Sequence, residues 1–150
     1  MEDLSLHILD VVENSIEANA SKIVIKIVEE KSNDLLVVEI KDNGRGMNKE
    51  IINKVLDPFY TTRTTRNVGM GLSLLAQAAK ESNGDFEIIS KVNVGTEVKA
   101  TFQYNHIDRK PIGDMKNTLI TLMLSHPEIN FVYEHQDDDG NYILDSKELR

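Results

Sequence analysis

The feature that most constrains this chain is a repeated pair of strand-like runs. Residues 22–29 (KIVIKIVE) and 35–41 (LLVVEIK) are rich in β-branched side chains, and Asn33-Asp34 supplies a turn between them. Residues 86–91 and 96–103 form a second pair around Asn93-Val94-Gly95. Along the last run Val98, Ala100 and Phe102 alternate with Glu97, Lys99 and Thr101. Strands joined by so short a connection pair antiparallel. Helical patterns stand before and between the pairs. In 4–18, Ile8, Val11, Val12, Ser15 and Ile16 recur at helical spacing, while Asp10, Glu13, Asn14 and Glu17 make a polar stripe. Residues 48–55 put Ile51, Ile52 and Val55 inside a short helix, and 56–69 are turn-rich and polar. Residues 70–82 carry Leu72, Leu75, Ala76 and Ala79 on one side and end at Asn83-Gly84. The order α, ββ, α, α, ββ predicts an α+β fold, with a helical layer against one face of a mostly antiparallel sheet.

Residues 104–150 read as a C-terminal extension to a domain spanning 1–103. An irregular stretch (NHIDRKPIGD) leads to a helix at 114–125 with Met115, Leu119, Leu122 and Met123 on one face. Extended segments at 129–135 and 141–145 flank a turn at Asp139-Gly140, and Ser146 stands as the N-cap of a helix just begun. Asp137, Asp139, Asn141, Asp145 and Glu148 match ligand positions of a twelve-residue calcium loop. Its sharp-turn position holds Tyr142 instead of glycine, and the entering segment is β-like, so a hairpin explains these residues more simply.

Composition closes off several classes. Forty per cent of the 150 residues are hydrophobic, enough to bury a core. The absence of cysteine excludes disulfides, thiol nucleophiles and cysteine-ligated metals. A net charge of −8 argues against nucleic acid as a partner, because no positive excess is available to release counterions. No apolar run is long enough to span a bilayer, and Met1-Glu2-Asp3 lacks the basic start of a signal peptide. A cytoplasmic location without membrane contact is the expectation.

Chemistry concentrates at four places. Asn14 lies on the polar stripe of the first helix, one turn after Asp10. Asp42-Asn43-Gly44-Arg45-Gly46 follows a strand directly, Gly69-Met70-Gly71 opens a helix, and Gly95-Thr96 opens the last strand. A carboxylate at a strand end can accept from an exocyclic amine such as adenine's, and neighbouring glycines let the backbone approach a flat base. Glycines at a helix start free backbone N–H groups for phosphate. An asparagine oxygen suits Mg²⁺, which keeps most of its waters and bridges phosphates.

In this order the features resemble the GHKL superfamily, the Bergerat-fold ATP-binding domains of histidine kinases, gyrase B subunits, MutL and related chaperones. DVVENSIEANAS is similar to the N box, DNGRGM to the G1 box, DPFYTTR to the F box and NVGMGLSLL to the G2 box. GTEVKATF is similar to the closing strand, and the resemblance covers about residues 3–103. It implies a two-layer α/β sandwich with ATP between the helical layer and a flexible lid. Residue by residue, it implies that Asn14 ligates Mg²⁺ and that Asp42 binds adenine. Gly44 and Gly46 would be the G1 glycines, Gly69 and Gly71 the phosphate-cradling pair, and Thr96 the threonine near adenine. Met47, Met70 and Leu72 would line the same pocket. Arg63 and Arg66 fall in the lid and could close on the γ-phosphate.

The sequence also departs from the family. Hydrolysing members place a glutamate where this chain has Asp10, shorter by about 1 Å, a difference a catalytic base tolerates poorly. Asp10 is thus the candidate catalytic residue, with a handicap. Ser15, Ile16, Glu17 and Ala18 follow Asn14 in the gyrase and MutL style, whereas the F box and short lid are kinase-like. Neither a second domain donating a lysine nor a phospho-accepting helical hairpin is visible. The expectation is an ATP- and Mg²⁺-binding regulatory module of the histidine-kinase type, signalling or transferring phosphate through a separate protein partner, with homodimerisation open. The alternatives are a slow ATPase switch of the MutL and gyrase type and a non-catalytic, anti-sigma-like binding module. Arg45 reads as a surface residue, His7 as a partly buried helix histidine and His126 as a helix-end residue.

Overall fold

The computed structural model describes residues 4–57, 70–106, 109 and 111–149. The elements run α1 (Leu4–Glu17), β1 (Lys22–Glu30), β2 (Leu35–Asp42), α2 (Lys49–Leu56), α3 (Met70–Glu81), β3 (Phe86–Lys91), β4 (Gly95–Gln103), α4 (Met115–Ser125), β5 (Asn130–Asp137) and β6 (Gly140–Asp145). Short 3-10 turns occupy Lys31–Asn33 and Ser146–Leu149. The strands form one six-stranded sheet in the order β3-β4-β2-β1-β5-β6. Neighbours are antiparallel except β1 and β5, which run parallel. The fold is the expected α+β sandwich, a mixed and mostly antiparallel sheet with helices on one face.

Register assigns the two faces. One carries Ile23, Ile25 and Ile27 of β1, Leu36, Val38 and Ile40 of β2, Val98, Ala100 and Phe102 of β4, and Phe131 and Tyr133 of β5. All of them are buried, in one cluster with Ile8 and Val12 of α1, Leu75 and Ala79 of α3, and Leu119 and Met123 of α4. Each such aliphatic or aromatic side chain contributes roughly 1.5–3 kcal/mol, so burial of this face dominates local propensity. The opposite face carries a row of alternating charge: Glu134, Lys26, Glu39, Lys99 and Glu87 stand opposite one another on successive strands. Opposite charges at facing positions support pairing and keep that face compatible with water.

Helix α1 buries a wider arc than its periodicity predicts, adding Leu4, Ser5 and His7 to the stripe. It packs on β2 and between α3 and α4, so neighbours cover it on several sides. His7 is consequently 1% exposed.

The residues after 103 extend the same sheet, β5 lying along β1. They also satisfy the start of α1: Leu4 N donates to Pro111 O and Ser5 N to Ile112 O, each at 2.8 Å. The β5–β6 hairpin turns one residue earlier than expected, at Asp138-Asp139, with Asp137 facing Gly140. Asp137 Oδ1 accepts from the N–H groups of Asp139 and Gly140, the local geometry of a tight turn. Ser146 opens a 3-10 turn, and its fully buried hydroxyl serves the sheet: it accepts from Phe131 N at 2.8 Å and lies 3.3 Å from Asn130 Oδ1. Ser146→Ala should leave a buried N–H unpaired and lower unfolding stability by about 1–2 kcal/mol in a denaturant titration. An unchanged midpoint would show that the hydroxyl contributes nothing.

The β1–β2 connection is longer than a plain Asn33-Asp34 turn: Glu30 faces Leu35, and Lys31 to Asp34 form the loop. After the 3-10 turn Asp34 takes a left-handed conformation with φ 52°. Its carboxylate accepts from Gln103 Nε2 and Asn105 N at 2.8 Å each, and these bonds hold it below the usual carboxylate range. Helix α3 ends through Asn83, which is the left-handed residue (φ 59°) in place of the expected glycine.

Candidate functional site

At one end of the sheet the helical face changes character within a single register step. The row Ile25, Ile40, Val98, Ile88 is apolar throughout, and the next row reads Ile23, Asp42, Thr96, Ser90. A cleft of about 280 Å³ opens above this boundary. Ile40, Asp42, Thr96 and Val98 form its floor. Its walls are Val11, Asn14 and Ser15 of α1, Ile51 and Val55 of α2, Leu72 of α3, and Arg45, Gly46 and Met47 of the loop after β2. An apolar slot with a few polar groups at one end suits a flat heterocycle carrying a hydrogen-bond donor.

Asp42 supplies the acceptor. Its Oδ1 accepts from Gly44 N at 2.8 Å and its Oδ2 from Ser15 Oγ at 2.5 Å. Two bonds fix the carboxylate while leaving each oxygen further acceptor capacity. The loop around it is fastened on both sides. Arg45 N donates to Ala18 O at 2.9 Å, and the Arg45 guanidinium donates to Glu17 O. Asn93 N donates to Arg45 O at 2.6 Å, and Met47 N donates to Ser90 Oγ at 2.8 Å. Gly46 has φ 72°, and a Cβ there would stand 1.9 Å from Lys91 O, so only glycine lets the loop lie this close to the β3 end.

Of the polar stripe of α1, Asn14 and Glu17 reach the cleft, and Glu13 and Asp10 lie beyond its lining. Burial, with Asp10 and Glu17 nearby, raises the Glu13 carboxyl above its ordinary range, against a smaller opposing pull from His126. Polyphosphate alone would be repelled here; polyphosphate bound to a divalent cation would not. Asn14 has no side-chain hydrogen bond among the described residues, and no group of three or more His, Asp or Glu side chains there could hold a metal alone. The donor set therefore fits a Mg²⁺ that takes one oxygen from the protein and the rest from phosphate and water.

Of the residues singled out in the sequence, the structure brings Asn14, Asp42, Gly46, Met47, Leu72 and Thr96 around this one cleft. Gly44 lies just behind it, where a Cβ would stand 2.8 Å from Ala18 O. Gly71 does not line it: a Cβ there would stand 2.5 Å from Asp10 Cβ and 3.0 Å from His7 O, so this glycine lets α3 pack on α1. Asp10 is thereby covered from the α3 side and is not among the lining residues. Arg45 is exposed as expected, yet it borders the cleft. Arg63, Arg66 and Gly69, with most of DPFYTTR, lie outside the described residues, as does the side chain of Met70.

Sequence reasoning missed two hydroxyls. Ser15 looked like part of the apolar stripe; a hydroxyl on a core-facing position next to Asn14 was the available signal. Ser90 gave no signal, because its place beside Thr96 depends on the β3–β4 register. Ser15→Ala should loosen Asp42 and weaken nucleotide binding about threefold to tenfold, read by calorimetry with ADP, with little loss of stability. Equal affinity in the variant would remove Ser15 from the site.

A second, more open hollow of about 550 Å³ lies beside β5 and β6, lined among others by Glu29, Lys116, Tyr133, His135 and Tyr142. Three of its ionisable side chains, Glu29, Tyr133 and His135, are joined in one hydrogen-bonded chain with Tyr104. Tyr104 Oη donates to Glu29 Oε1 at 2.9 Å, His135 Nε2 lies 2.6 Å from Glu29 Oε2, and Tyr133 Oη lies 2.9 Å from His135 Nδ1. Burial, reinforced by Glu29 and Tyr142, pushes the Tyr133 phenol up to about 12, far from a reactive phenolate.

Comparison with known proteins identifies the family. Residues 2–106 match the family model described as histidine kinase-, DNA gyrase B-, and HSP90-like ATPase. Sensor histidine kinase YvrG of Bacillus subtilis is 27% identical over 94 residues, covering 60% of this chain and 16% of the kinase. Sporulation kinase C of the same organism is 31% identical over 88 residues, covering 59% of this chain and 20% of the kinase. The chain thus spans only about a fifth or less of these relatives' length. Among solved structures, the Aquifex aeolicus MutL ATPase domain complexed with ADP superposes with TM-score 0.52 at 20% identity, over 89% of this chain and 60% of that one. The topoisomerase IV ATP-binding domain of Francisella tularensis, in complex with a small-molecule inhibitor, gives TM-score 0.58 at 15% identity, over 95% and 87%. These two likenesses speak to the fold, and the family match speaks to descent. The chain belongs to the histidine kinase-, DNA gyrase B- and HSP90-like ATPase family.

Proposed function

We propose that this chain is a cytoplasmic, Mg²⁺-dependent ATP-binding module of the histidine-kinase type that regulates, or phosphorylates, a separate protein partner. The observation that carries this reading is the single register step from Ile40 and Val98 to Asp42 and Thr96, with Asn14 across the cleft. The apolar row offers a face for adenine, and Asp42 accepts from its amine. Asn14 would hold Mg²⁺ together with the phosphates; the bound ion would neutralise phosphate charge at an acidic rim. In the transfer form of the proposal, a bond forms between a partner's acceptor atom and the γ-phosphorus as the bond to the ADP oxygen breaks. Such chemistry asks the protein mainly for positioning and electrostatics.

Asp10, shorter by about 1 Å than the glutamate of the hydrolysing members, supports binding or transfer over water activation.

Two measurements test the proposal. Asn14→Ala should lose most of the Mg²⁺ enhancement of ATP affinity while still binding adenosine; an unaltered Mg²⁺ dependence would remove the ligand role. Incubation with γ-labelled ATP and lysate fractions should label a partner protein in the wild type and not in Asp42→Ala. ATP binding with no labelled partner would leave the passive binding module as the function.

A further inference from the structure

Strand β6 is one edge of the sheet, and no described strand pairs with its outer side. Backbone directions alternate along its neighbour β5. Asn130 N donates to Ser21 O on the β1 side, and Phe131 N donates to Ser146 Oγ on the β6 side. Tyr133 and His135 share the direction of Phe131, so their backbone groups meet Leu144 and Tyr142 opposite them. Asn141, Ile143 and Asp145 therefore turn their N–H and C=O groups outward. The 3-10 turn that follows is drawn toward β5, where Ser146 takes the Phe131 N–H.

Proteins commonly blunt an open edge with proline, lysine or a bulge. Gly140–Asp145 has none of these: GNYILD pairs with β5 in unbroken register. Ile143 is 57% exposed on the outer face of the sheet, and Tyr142 is 40% exposed on the helical face. Two copies of β6 can pair antiparallel only where outward-turned residues face one another. Centred on Tyr142, such a pair sets Asp139 against Asp145 of the second copy, like charge against like. Centred on Leu144, it sets Ile143 against Asp145 and runs out of strand at Ser146. Centred on Ile143, nearly the whole strand pairs. Ile143 meets its own copy, Tyr142 meets Leu144, and Asn141 meets Asp145, an amide donor against a carboxylate. The acidic turn Asp138-Asp139 then reaches the end of the other strand, where an exposed Lys147 follows.

We propose that β6 is a self-recognition edge: a second copy of this chain pairs antiparallel along it, centred on Ile143, and joins the two sheets into one. The occupant is a second copy because one short segment supplies both halves of every contact, the charged ones included. The inference uses the fold alone and stands apart from the nucleotide reading. Strands β5 and β1 separate β6 from the Asp42–Thr96 row, so both clefts stay open in the pair.

Analytical ultracentrifugation across a concentration series should show the wild type moving from one chain mass to two. Ile143→Lys sets two ammonium groups face to face at the two-fold axis and should weaken pairing by at least about tenfold. Within one chain the new lysine stands opposite Glu134, so circular dichroism should show the fold kept. Asn141→Lys faces Asp145 of the second copy and should tighten pairing by about threefold to tenfold. Gln77→Lys adds the same charge on α3, beside Glu81, and should leave pairing unchanged. Cysteine crosslinking then reads the register, in a chain with no cysteine of its own. Facing residues of a bonded antiparallel pair lie about 5.5 Å apart at Cα, within disulfide reach, so Ile143→Cys should oxidise to a linked dimer. Asn141→Cys should not, because its two copies stand four residues apart along the strands, about 13 Å. A mass that stays at one chain up to about 1 mM would overturn the inference and leave the edge to a different partner. So would Ile143→Lys pairing as tightly as the wild type, equal tightening by Asn141→Lys and Gln77→Lys, or crosslinking no faster at Ile143→Cys than at Asn141→Cys.

Discussion

Asp42→Ala is expected to weaken ADP and ATP alike by roughly tenfold to hundredfold. The carboxylate accepts from Ser15 Oγ and Gly44 N, and the proposed contact with the base would use the acceptor capacity left over. Its removal would leave the amine of a bound base unpaired, at about 1–3 kcal/mol, and free the Ser15 hydroxyl as well. Stability should change little, because Asp42 is only half-buried and ends its strand. Asp42→Asn should fall between wild type and alanine, since the amide keeps one acceptor oxygen and adds a donor facing the base amine. Calorimetry with ADP decides: equal affinity in Asp42→Ala would remove the residue from base recognition.

Phe131→Ala is expected to have the largest effect on stability, a loss of about 3–5 kcal/mol with a lower melting temperature for the whole chain. Phe131 is 0% exposed and stands beside Ile23 in the parallel β1–β5 pair. The same extension receives the first N–H groups of α1, and Asn130 N donates to Ser21 O. Ser21 in turn donates its N–H to Asn43 Oδ1 at 2.8 Å, in the loop that carries Asp42. Residues after 103 are thus tied to two of the parts that build the cleft, α1 and the loop after β2. Thermal unfolding should remain a single transition in the variant. Two separate transitions, with the cleft's nucleotide affinity kept after the first, would show that the extension folds on its own.

The helices and strands were legible because their signals are local. Ile8, Val11 and Val12 recur with the helical period, and Val98, Ala100 and Phe102 recur with the strand period. Likewise Asp42, Asn14 and Thr96 could be read from short motifs, since each sits at the end or on the polar face of a predictable element. What could not be read depends on partners distant in sequence. The parallel pairing of β5 with β1 joins residues more than a hundred positions apart, and no periodicity encodes it. The roles of Ser15 and Ser90 depend on the atoms opposite them, 27 positions away for Ser15 and 43 for Ser90. Gly71 carries a further constraint that its motif does not encode: a Cβ there would stand 2.5 Å from Asp10 Cβ and 3.0 Å from His7 O, a close helix–helix contact between residues distant in sequence.

On the proposed function, adenine nucleotide occupies the cleft between the Asp42–Thr96 row and α1. A nitrogen-15 NMR titration of the chain with Mg²⁺·ADP locates the ligand directly. Saturable shifts are expected at the amides of Ser15, Gly44, Met47, Leu72 and Thr96, with those of Tyr133, His135 and Tyr142 unmoved. Shifts concentrated at the Tyr133–Tyr142 hollow, or none at any nucleotide concentration, would contradict it.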